Sequence, residues 1–269
     1  MYFYHGYAIG VGSTIKDQQF TEAVSALTVG GGTSAADSKF NKNGISFEAH
    51  SEVSGYWEKR NGLYYWVTKA SVTVKNLKIL NRITSDAIKC DLYSEFRGGD
   101  YESATAIDAD FGNLQVDGTA LKIEKTDALS EDYPTFSGAQ LSFQDSFSQP
   151  WVLDLLVGRR LTDETANTDD LRAAFDAYSE QKALPKLKPA VVCSFVEKIS
   201  GGGFKSWGPI VAIPNLGNLY LGEVIVWPWM RCLTTFRLEL DSNKGSICGG
   251  SAGANGTGFP PGGVPPDWP

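Results

Sequence analysis

Apolar and polar residues alternate along much of the chain, and one alternating pattern occurs twice between residues 67 and 123. The two copies are Ser71–Ile79 and Asp108–Val116. In each copy the apolar residues change phase halfway, whereas a regular strand keeps its apolar side chains on one face. The change of phase predicts a β-bulge at Lys75-Asn76 and another at Gly112-Asn113. Two copies of the same irregular strand indicate equivalent strands within one sheet system.

The longest stretch of alternation predicts a hairpin around Asn61-Gly62, a dipeptide typical of a tight type I′ turn. Residues 45–58 and 63–80 should pair on either side of that turn, because both segments are rich in aromatic and β-branched residues. A further strand is expected at 83–96, and Asp117-Gly118 predicts a second tight turn.

The second half of the chain contains strands and one segment of a different character. Residues 216–227 are apolar on both faces, which predicts a central strand that is covered on both sides. Residues 233–240 alternate, and Thr234 and Phe236 are expected to share a face. Residues 162–182 have apolar residues at helical spacing and carboxylates in the first turn, so they predict a helix.

These patterns predict a mainly β protein, an antiparallel two-sheet sandwich-like fold with one helical insertion at about 162–182. Residues 1–248 are expected to form a single β-rich domain, because all-β domains often reach this size undivided. If the chain instead has two domains, the boundary falls near 126–150. Residues 249–269 combine Gly, Ser and Asn with a proline-rich end, and we expect them to form a C-terminal tail.

Composition narrows the classes of partner. The 269 residues carry a net charge of −7 and include no long Lys/Arg run. Nucleic acid is therefore not an expected partner, and an anionic membrane surface is disfavoured, because both require basic side chains. No apolar stretch has the ~18 residues of a transmembrane helix. The N-terminus lacks the features of a secretory signal, so we expect a cytoplasmic protein, one released by a non-classical route, or one whose signal has been removed.

Four cysteines are spread along the chain and form no Cys-x-x-Cys motif, which argues against a zinc ribbon. Reduced, buried thiols are favoured over a disulfide bond. If a pair forms, proximity in sequence favours Cys232 with Cys248.

Common catalytic motifs are missing from the sequence, including the phosphate-binding loop, Gly-x-Ser-x-Gly and His-Glu-x-x-His. The two histidines, His5 and His50, have no visible partners for a catalytic triad. His50 is expected to be a solvated neighbour of Glu48 and Glu52 on a strand. The sequence favours a non-enzymatic protein without deciding the question.

Asp108 and Asp110 would share one face of a strand, where two carboxylates could bind Ca²⁺ or serve glycoside hydrolysis. Aspartates that alternate on a solvent-facing strand are also ordinary surface residues. The oxygen-rich loop spacing of known calcium sites is missing. Calcium is the only cofactor that the sequence suggests.

Aromatic residues are the most distinctive feature of the chain. Exposed aromatic rings could stack on sugars or lie at a lipid interface, whereas buried ones would form core and cross-strand pairs. Proline between two tryptophans also indicates a sheet edge or a contact surface. The candidate ligand-binding residues are Tyr56, Trp57, Tyr64, Trp66, Trp227 and Trp229.

The segments Ser71–Ile79, Ile83–Ile88 and Phe111–Gly118 together resemble a strand pattern of secreted bacterial proteins of the choice-of-anchor P type, an uncharacterised family. The resemblance covers about 50 of the 269 residues. We expect the chain to depart from that type, because the sequence shows neither the pattern of a signal peptide nor that of a C-terminal anchor. The resemblance implies a bacterial, β-rich, surface or released protein, and it implies no functional residues.

The leading hypothesis is a non-enzymatic binding or self-assembling β-protein that presents aromatic edges to a glycan, a lipid or an identical subunit. This hypothesis allows a homo-oligomer. The alternatives are a membrane-active, pore-forming toxin-like protein and a carboxylate-dependent glycoside hydrolase. Fold alone does not decide between them.

Overall fold

The computed structural model describes residues 2, 4–15, 18–97, 104–126, 191–227, 230–241 and 245–255. In these residues the chain forms antiparallel β-strands. They are β1 (Gly6–Ile15), β2 (Gln18–Ala26), β3 (Gly32–Lys42), β4 (Ile45–Arg60), β5 (Leu63–Ile79), β6 (Ile83–Arg97), β7 (Ala104–Asp110), β8 (Gln115–Val116), β9 (Thr119–Ala120), β10 (Lys122–Lys125), β11 (Val191–Ser194), β12 (Val196–Ser200), β13 (Lys205–Trp207), β14 (Ile210–Ile213), β15 (Gly217–Trp227), β16 (Met230–Leu240) and β17 (Ser246–Asn255).

Two large sheets and one small sheet contain all of these strands. The first sheet has the order β13-β14-β15-β16-β17-β1-β2, and β11 also pairs with β15. The second sheet has the order β3-β4-β5-β6-β8-β9, and β7 also pairs with β6. Strands β10 and β12 form the small sheet.

The two large sheets pack face to face, with β1 and β17 of the first against β4, β5 and β6 of the second. Their facing side chains form one continuous apolar core. The predicted fold class, mainly β with an antiparallel sandwich-like arrangement, is therefore confirmed. The predicted helix at 162–182 lies outside the described residues.

The duplicated pattern of the sequence corresponds to the two strands that flank β6. Strand β5 carries the first copy, and β7 with β8 carries the second. At the first copy the pairing between β4 and β5 shifts register opposite Lys75, and Asn76 has a left-handed φ of 53°. The bulge predicted at Lys75-Asn76 is therefore confirmed.

At the second copy the chain leaves the sheet between β7 and β8 and returns in the same register against β6. The irregular residue is Gly112, with a φ of 52°. A Cβ atom there would lie 2.1 Å from the carbonyl oxygen of Ala87, so glycine is required. The phase changes as predicted, but through an interrupted strand rather than an inserted residue.

A similar row of irregular positions crosses the first sheet. Gly10, Ala23, Gly222, Thr235 and Gly250 lie opposite one another on five neighbouring strands. Three of them have left-handed φ values, 51° at Ala23, 64° at Gly222 and 59° at Gly250. Because the irregular positions fall in one row, the strands keep their pairing register on both sides of it.

This row corrects the prediction for residues 233–240. Leu233 and Phe236 both face the core, so the core-facing phase changes at Thr235. Thr234 therefore lies on the face opposite to Phe236, and the expectation that the two share a face is wrong.

The predicted C-terminal tail is also wrong at its start, because residues 249–255 belong to β17, between β1 and β16. The glycines there allow neighbouring side chains to approach closely, as Phe236 does at Gly249.

Candidate functional site

The predicted aromatic hairpin is formed by β4 and β5, and its rings divide between the two faces of the second sheet. Trp57 pairs with Trp66 across the strands, and the rings of Trp57 and Tyr64 have centroids 5.7 Å apart. These three residues lie on the face that forms the core further along the strands. Tyr56 lies on the opposite face, because successive residues of a strand point to opposite sides.

On the core-side face, the aromatic contacts of the hairpin extend to residues at the N-terminus of the chain. Trp66 stacks on Tyr2 with ring centroids 5.5 Å apart, and Tyr2 meets Tyr4 edge-on at 4.9 Å. Tyr2, Tyr4 and Phe96 are buried in an aromatic cluster separate from the main core. Trp66 is therefore a structural residue that anchors the hairpin, as the core alternative predicted.

Exposure increases toward the hairpin turn. Trp57 is 61% exposed, and Tyr56 and Leu63 are each 38% exposed. The rings of Trp57 and Tyr64 are inclined by 56°, so they do not form a flat platform. We call the following set the aromatic end: Tyr56, Trp57, Leu63, Tyr64 and Trp66. Among the other candidates, Trp227 is the last residue of β15, and Trp229 lies outside the described residues.

On the outer face, cations lie between the tyrosines. The Lys69 ammonium is 5.6 Å from the ring centre of Tyr56 and 5.5 Å from that of Tyr93. Arg60 donates hydrogen bonds to Glu58 and to Glu95, where its Nη1 lies 2.7 Å from Oε2. Cation–π contacts and ion pairs thus fix the side chains on this face of the hairpin.

A groove with a volume of about 580 Å³ lies beside this cluster, on the outer face of the second sheet. Cross-strand pairing places Glu52, Ser71, Asp91 and Asp108 in one row over four neighbouring strands. We call this cavity the outer groove. Its lining residues are Glu52, Ser54, Lys69, Ala70, Ser71, Asp91, Leu92, Tyr93, Ala106, Ile107 and Asp108.

Asp91 makes no ion pair within the described residues, unlike Asp108. Partial burial raises the pKa of Asp91, the neighbouring charge of Asp108 raises it further, and the charge of Lys89 lowers it. Sequence reasoning identified Asp108 but missed Asp91. The alternation of polar residues along β6 could have marked its outward position, but only the pairing of β6 with β7 brings the two carboxylates together.

The structure places Asp108 and Asp110 on the same outward face of β7, as predicted, but gives them different neighbours. The Lys125 ammonium lies 3.6 Å from Asp108. Asp110 accepts a hydrogen bond from the backbone N–H of Gly112 at 3.0 Å. Across the described residues, no group of three or more His, Cys, Asp or Glu side chains is placed to hold a metal ion. The calcium site therefore stays a prediction.

His50 is exposed, and its Nδ1 lies 2.8 Å from Asp37 on the neighbouring strand. This is the solvated, cross-strand position that the sequence predicted, although the closer partner is Asp37 rather than Glu52, which is 4.0 Å away. His5 is also exposed. No described contact assembles a catalytic triad around either histidine.

Cys90, Cys232 and Cys248 are free thiols. Cys232 pairs with Gly253 of β17, five residues beyond Cys248, which is about 16 Å along a strand. A disulfide requires Cα atoms within about 7 Å, so the suggested Cys232–Cys248 pair is wrong. Burial raises the pKa of all three thiols, as expected for buried, reduced cysteines.

Within the described ranges, no helix is both long enough and apolar enough to cross a membrane. No curated protein and no solved structure matches the chain. One family model matches residues 2–227, which is more than half of the sequence. Its description is "Domain of unknown function (DUF8256)". The chain therefore belongs to the DUF8256 family.

Proposed function

We propose that the protein is a non-enzymatic binding protein that contacts a neutral lipid surface through the aromatic end. The observation that carries this proposal is the exposure of Trp57 beside Tyr56 and Leu63, at the turn of a hairpin whose base is anchored by Trp66. Exposed apolar surface of this kind is costly in water and is retained where a partner covers it.

The chemistry around the aromatic end favours a lipid over the other two classes of partner. Trp and Tyr are enriched at the boundary between lipid and water, where their rings are buried and their polar atoms stay hydrated. A polysaccharide chain stacks best on coplanar rings, and the 56° between Trp57 and Tyr64 does not provide them. Arg60 forms ion pairs with Glu58 and Glu95, so it offers no free positive charge to an anionic surface.

The test is co-sedimentation with phosphatidylcholine vesicles. We expect the protein to bind, and Trp57→Ala to weaken binding about ten-fold, since burying a large apolar side chain is worth roughly 1.5–3 kcal/mol. Val24→Ala is the matched control, because Val24 is also an exposed apolar residue, 47% exposed, but lies on β2. Equal binding by wild type and Trp57→Ala, or no binding by either, would contradict the proposal.

Two further measurements distinguish lipid contact from the alternatives of self-association and pore formation. Self-association that depends on Trp57, seen by light scattering without vesicles, would replace the lipid with an identical subunit. Dye release from the same vesicles would support the pore-forming alternative, which requires insertion rather than surface contact. The carboxylate hydrolase stays a prediction that centres on Asp108 and Asp110.

A further inference from the structure

The outer groove is separate from the aromatic end and has the shape of a ligand site. It crosses β4, β5, β6 and β7, a width of about 14 Å at the usual spacing between strands. Its volume of about 580 Å³ lies within the range of small-molecule sites. Its lining combines apolar surface with a few polar side chains, as small-molecule sites usually do.

Several polar side chains of the groove are not used by the protein itself. Among the contacts of the described residues, the side chains of Ser54, Ser71 and Asp91 have no hydrogen bond or ion pair. Within the part of the chain that the structure describes, the Lys69 ammonium contacts aromatic rings and has no carboxylate partner. These four residues line one cavity and offer both donors and acceptors to a ligand.

The balance of charge indicates a neutral ligand. Asp108 has a cationic neighbour, since Lys125 lies 3.6 Å away. The basic group nearest to Glu52 is His50, at 4.0 Å, which is charged only when protonated and lies closer to Asp37. Within the described residues, the charged groups of the groove that have no permanently charged partner are therefore Glu52, Asp91 and Lys69. A strongly anionic ligand would be repelled by the two carboxylates, and a strongly cationic one by Lys69.

We propose that the outer groove binds a neutral carbohydrate. The hydroxyl groups of a sugar can donate to the carboxylate of Asp91 and accept from the ammonium of Lys69, and they can do both with Ser54 and Ser71. Tyr93, which lines the groove, provides aromatic surface for the C–H face of a sugar ring. This site is independent of the lipid contact proposed for the aromatic end.

The probe is a set of soluble neutral polysaccharides, namely starch, β-glucan, galactomannan and hydroxyethylcellulose, used in affinity electrophoresis of the full chain. We expect at least one to retard the protein. Ser71→Trp should abolish retardation, because the indole would fill the middle of the groove. Asp91→Asn should weaken it at least ten-fold, because the amide cannot replace a charged acceptor.

Asp86→Asn is the matched control, because Asp86 is an exposed aspartate on the same strand, outside the groove. It should be retarded like the wild type, and circular dichroism should show that all variants are folded. Retardation by none of the four polysaccharides, or retardation that survives Ser71→Trp, would overturn the proposal. So would binding of spermidine in place of the polysaccharides, since that would indicate a cationic ligand.

The two proposals fail in distinguishable ways. Trp57→Ala should leave retardation unchanged, and Ser71→Trp should leave vesicle binding unchanged. Loss of retardation in Trp57→Ala alone would move carbohydrate binding to the aromatic end and overturn the assignment to the groove.

Discussion

Asp91 faces Asp108 directly across β6 and β7, so two carboxylates lie side by side on the outer face of the second sheet. Like charges in directly opposite positions destabilise a sheet. Lys125 lies near Asp108, whereas the carboxylate of Asp91 makes no ion pair within the described residues. The repulsion between the two carboxylates therefore lowers the stability of the folded state. Removing one of the two charges should show this in the free energy of unfolding.

Asp91→Asn should stabilise the protein at pH 7, by up to about 1 kcal/mol because the site is only partly buried. The pKa of Asp91 is raised in the folded state, so folding favours the protonated form. Ionised Asp91 therefore lowers the free energy of unfolding. This loss of stability is absent below the unfolded pKa of about 3.9 and develops as pH rises through the folded pKa. Urea unfolding of wild type and variant from pH 7 to pH 4 should show the difference shrinking toward acid. A difference that grows toward acid would contradict this account.

Arg82 links the turns of the two large sheets. It donates two hydrogen bonds to Asp117, at 2.7 and 2.6 Å, and a third to the carbonyl oxygen of Pro214 at 2.8 Å. Arg82→Gln should lower the free energy of unfolding by about 1 kcal/mol at pH 7, because charge-assisted bonds are lost at a partly exposed site. Arg97→Gln, at an exposed position on β6, is the control and should have little effect.

The contribution of Arg82 should also depend on pH. Its hydrogen bonds lower the pKa of Asp117, so this stabilisation is present above the unfolded pKa of about 3.9 and is lost as pH falls through the folded pKa. The difference between wild type and Arg82→Gln in urea unfolding should therefore decrease below about pH 4. A constant difference down to pH 2 would show that packing, not the ion pair, is responsible.

Gly250→Ala should destabilise the protein severely, by roughly 3 kcal/mol or more. A Cβ atom at Gly250 would lie 2.0 Å from the Thr235 hydroxyl oxygen, and its φ of 59° is strained for alanine. Gly62→Ala is the control, because Gly62 also has a left-handed φ, 84°, but has open space around it. Gly62→Ala should lower the free energy of unfolding by only about 1 kcal/mol, because it introduces backbone strain alone, as thermal or urea unfolding would show. Similar losses in the two variants would show that backbone conformation alone accounts for the effect.

The free thiols should be protected in the native protein. Cys90 is buried, and burial raises its pKa, so little reactive thiolate forms at pH 8. Treatment with iodoacetamide, followed by peptide mass spectrometry, should leave Cys90 unmodified until urea is added. The same digest without reductant should contain no peptide that joins Cys232 to Cys248. Rapid labelling of Cys90 in the native state would contradict the burial of this strand.

Much of the second sheet was predictable because it follows from local chemistry. Asn61-Gly62 has left-handed φ values at both residues, as a type I′ turn requires, and the strands on either side of it pair as predicted. The same dipeptide at Asn43-Gly44 joins β3 to β4 in the same way, with φ values of 53° and 79°. Sequence reasoning missed that hairpin and its edge strand β3, although the turn signal was present.

The candidate site was less predictable, because it depends on pairing between distant strands. The pattern of the sequence identified Tyr56 and Trp57 as aromatic residues of a hairpin. How far these two rings are exposed is decided only by the tertiary structure, and Trp66 is partly buried where it stacks on Tyr2 from the other end of the chain. Asp91 and Lys69 line the same groove only because of the register in which β5, β6 and β7 pair.

The sequence by itself determined the paired strands β4, β5 and β6, the tight turn at Asn61-Gly62 and the phase change at Asn76, because these depend on residues a few positions apart. Glycine and asparagine favour a left-handed backbone, as at Asn76 and Gly250. Only the tertiary structure decided that irregular positions align in a row across the first sheet, as Gly10 and Gly250 do. Only the tertiary structure decided which polar side chains of neighbouring strands line one groove. The register of those strands is fixed by the burial of the opposite face in the core between the sheets.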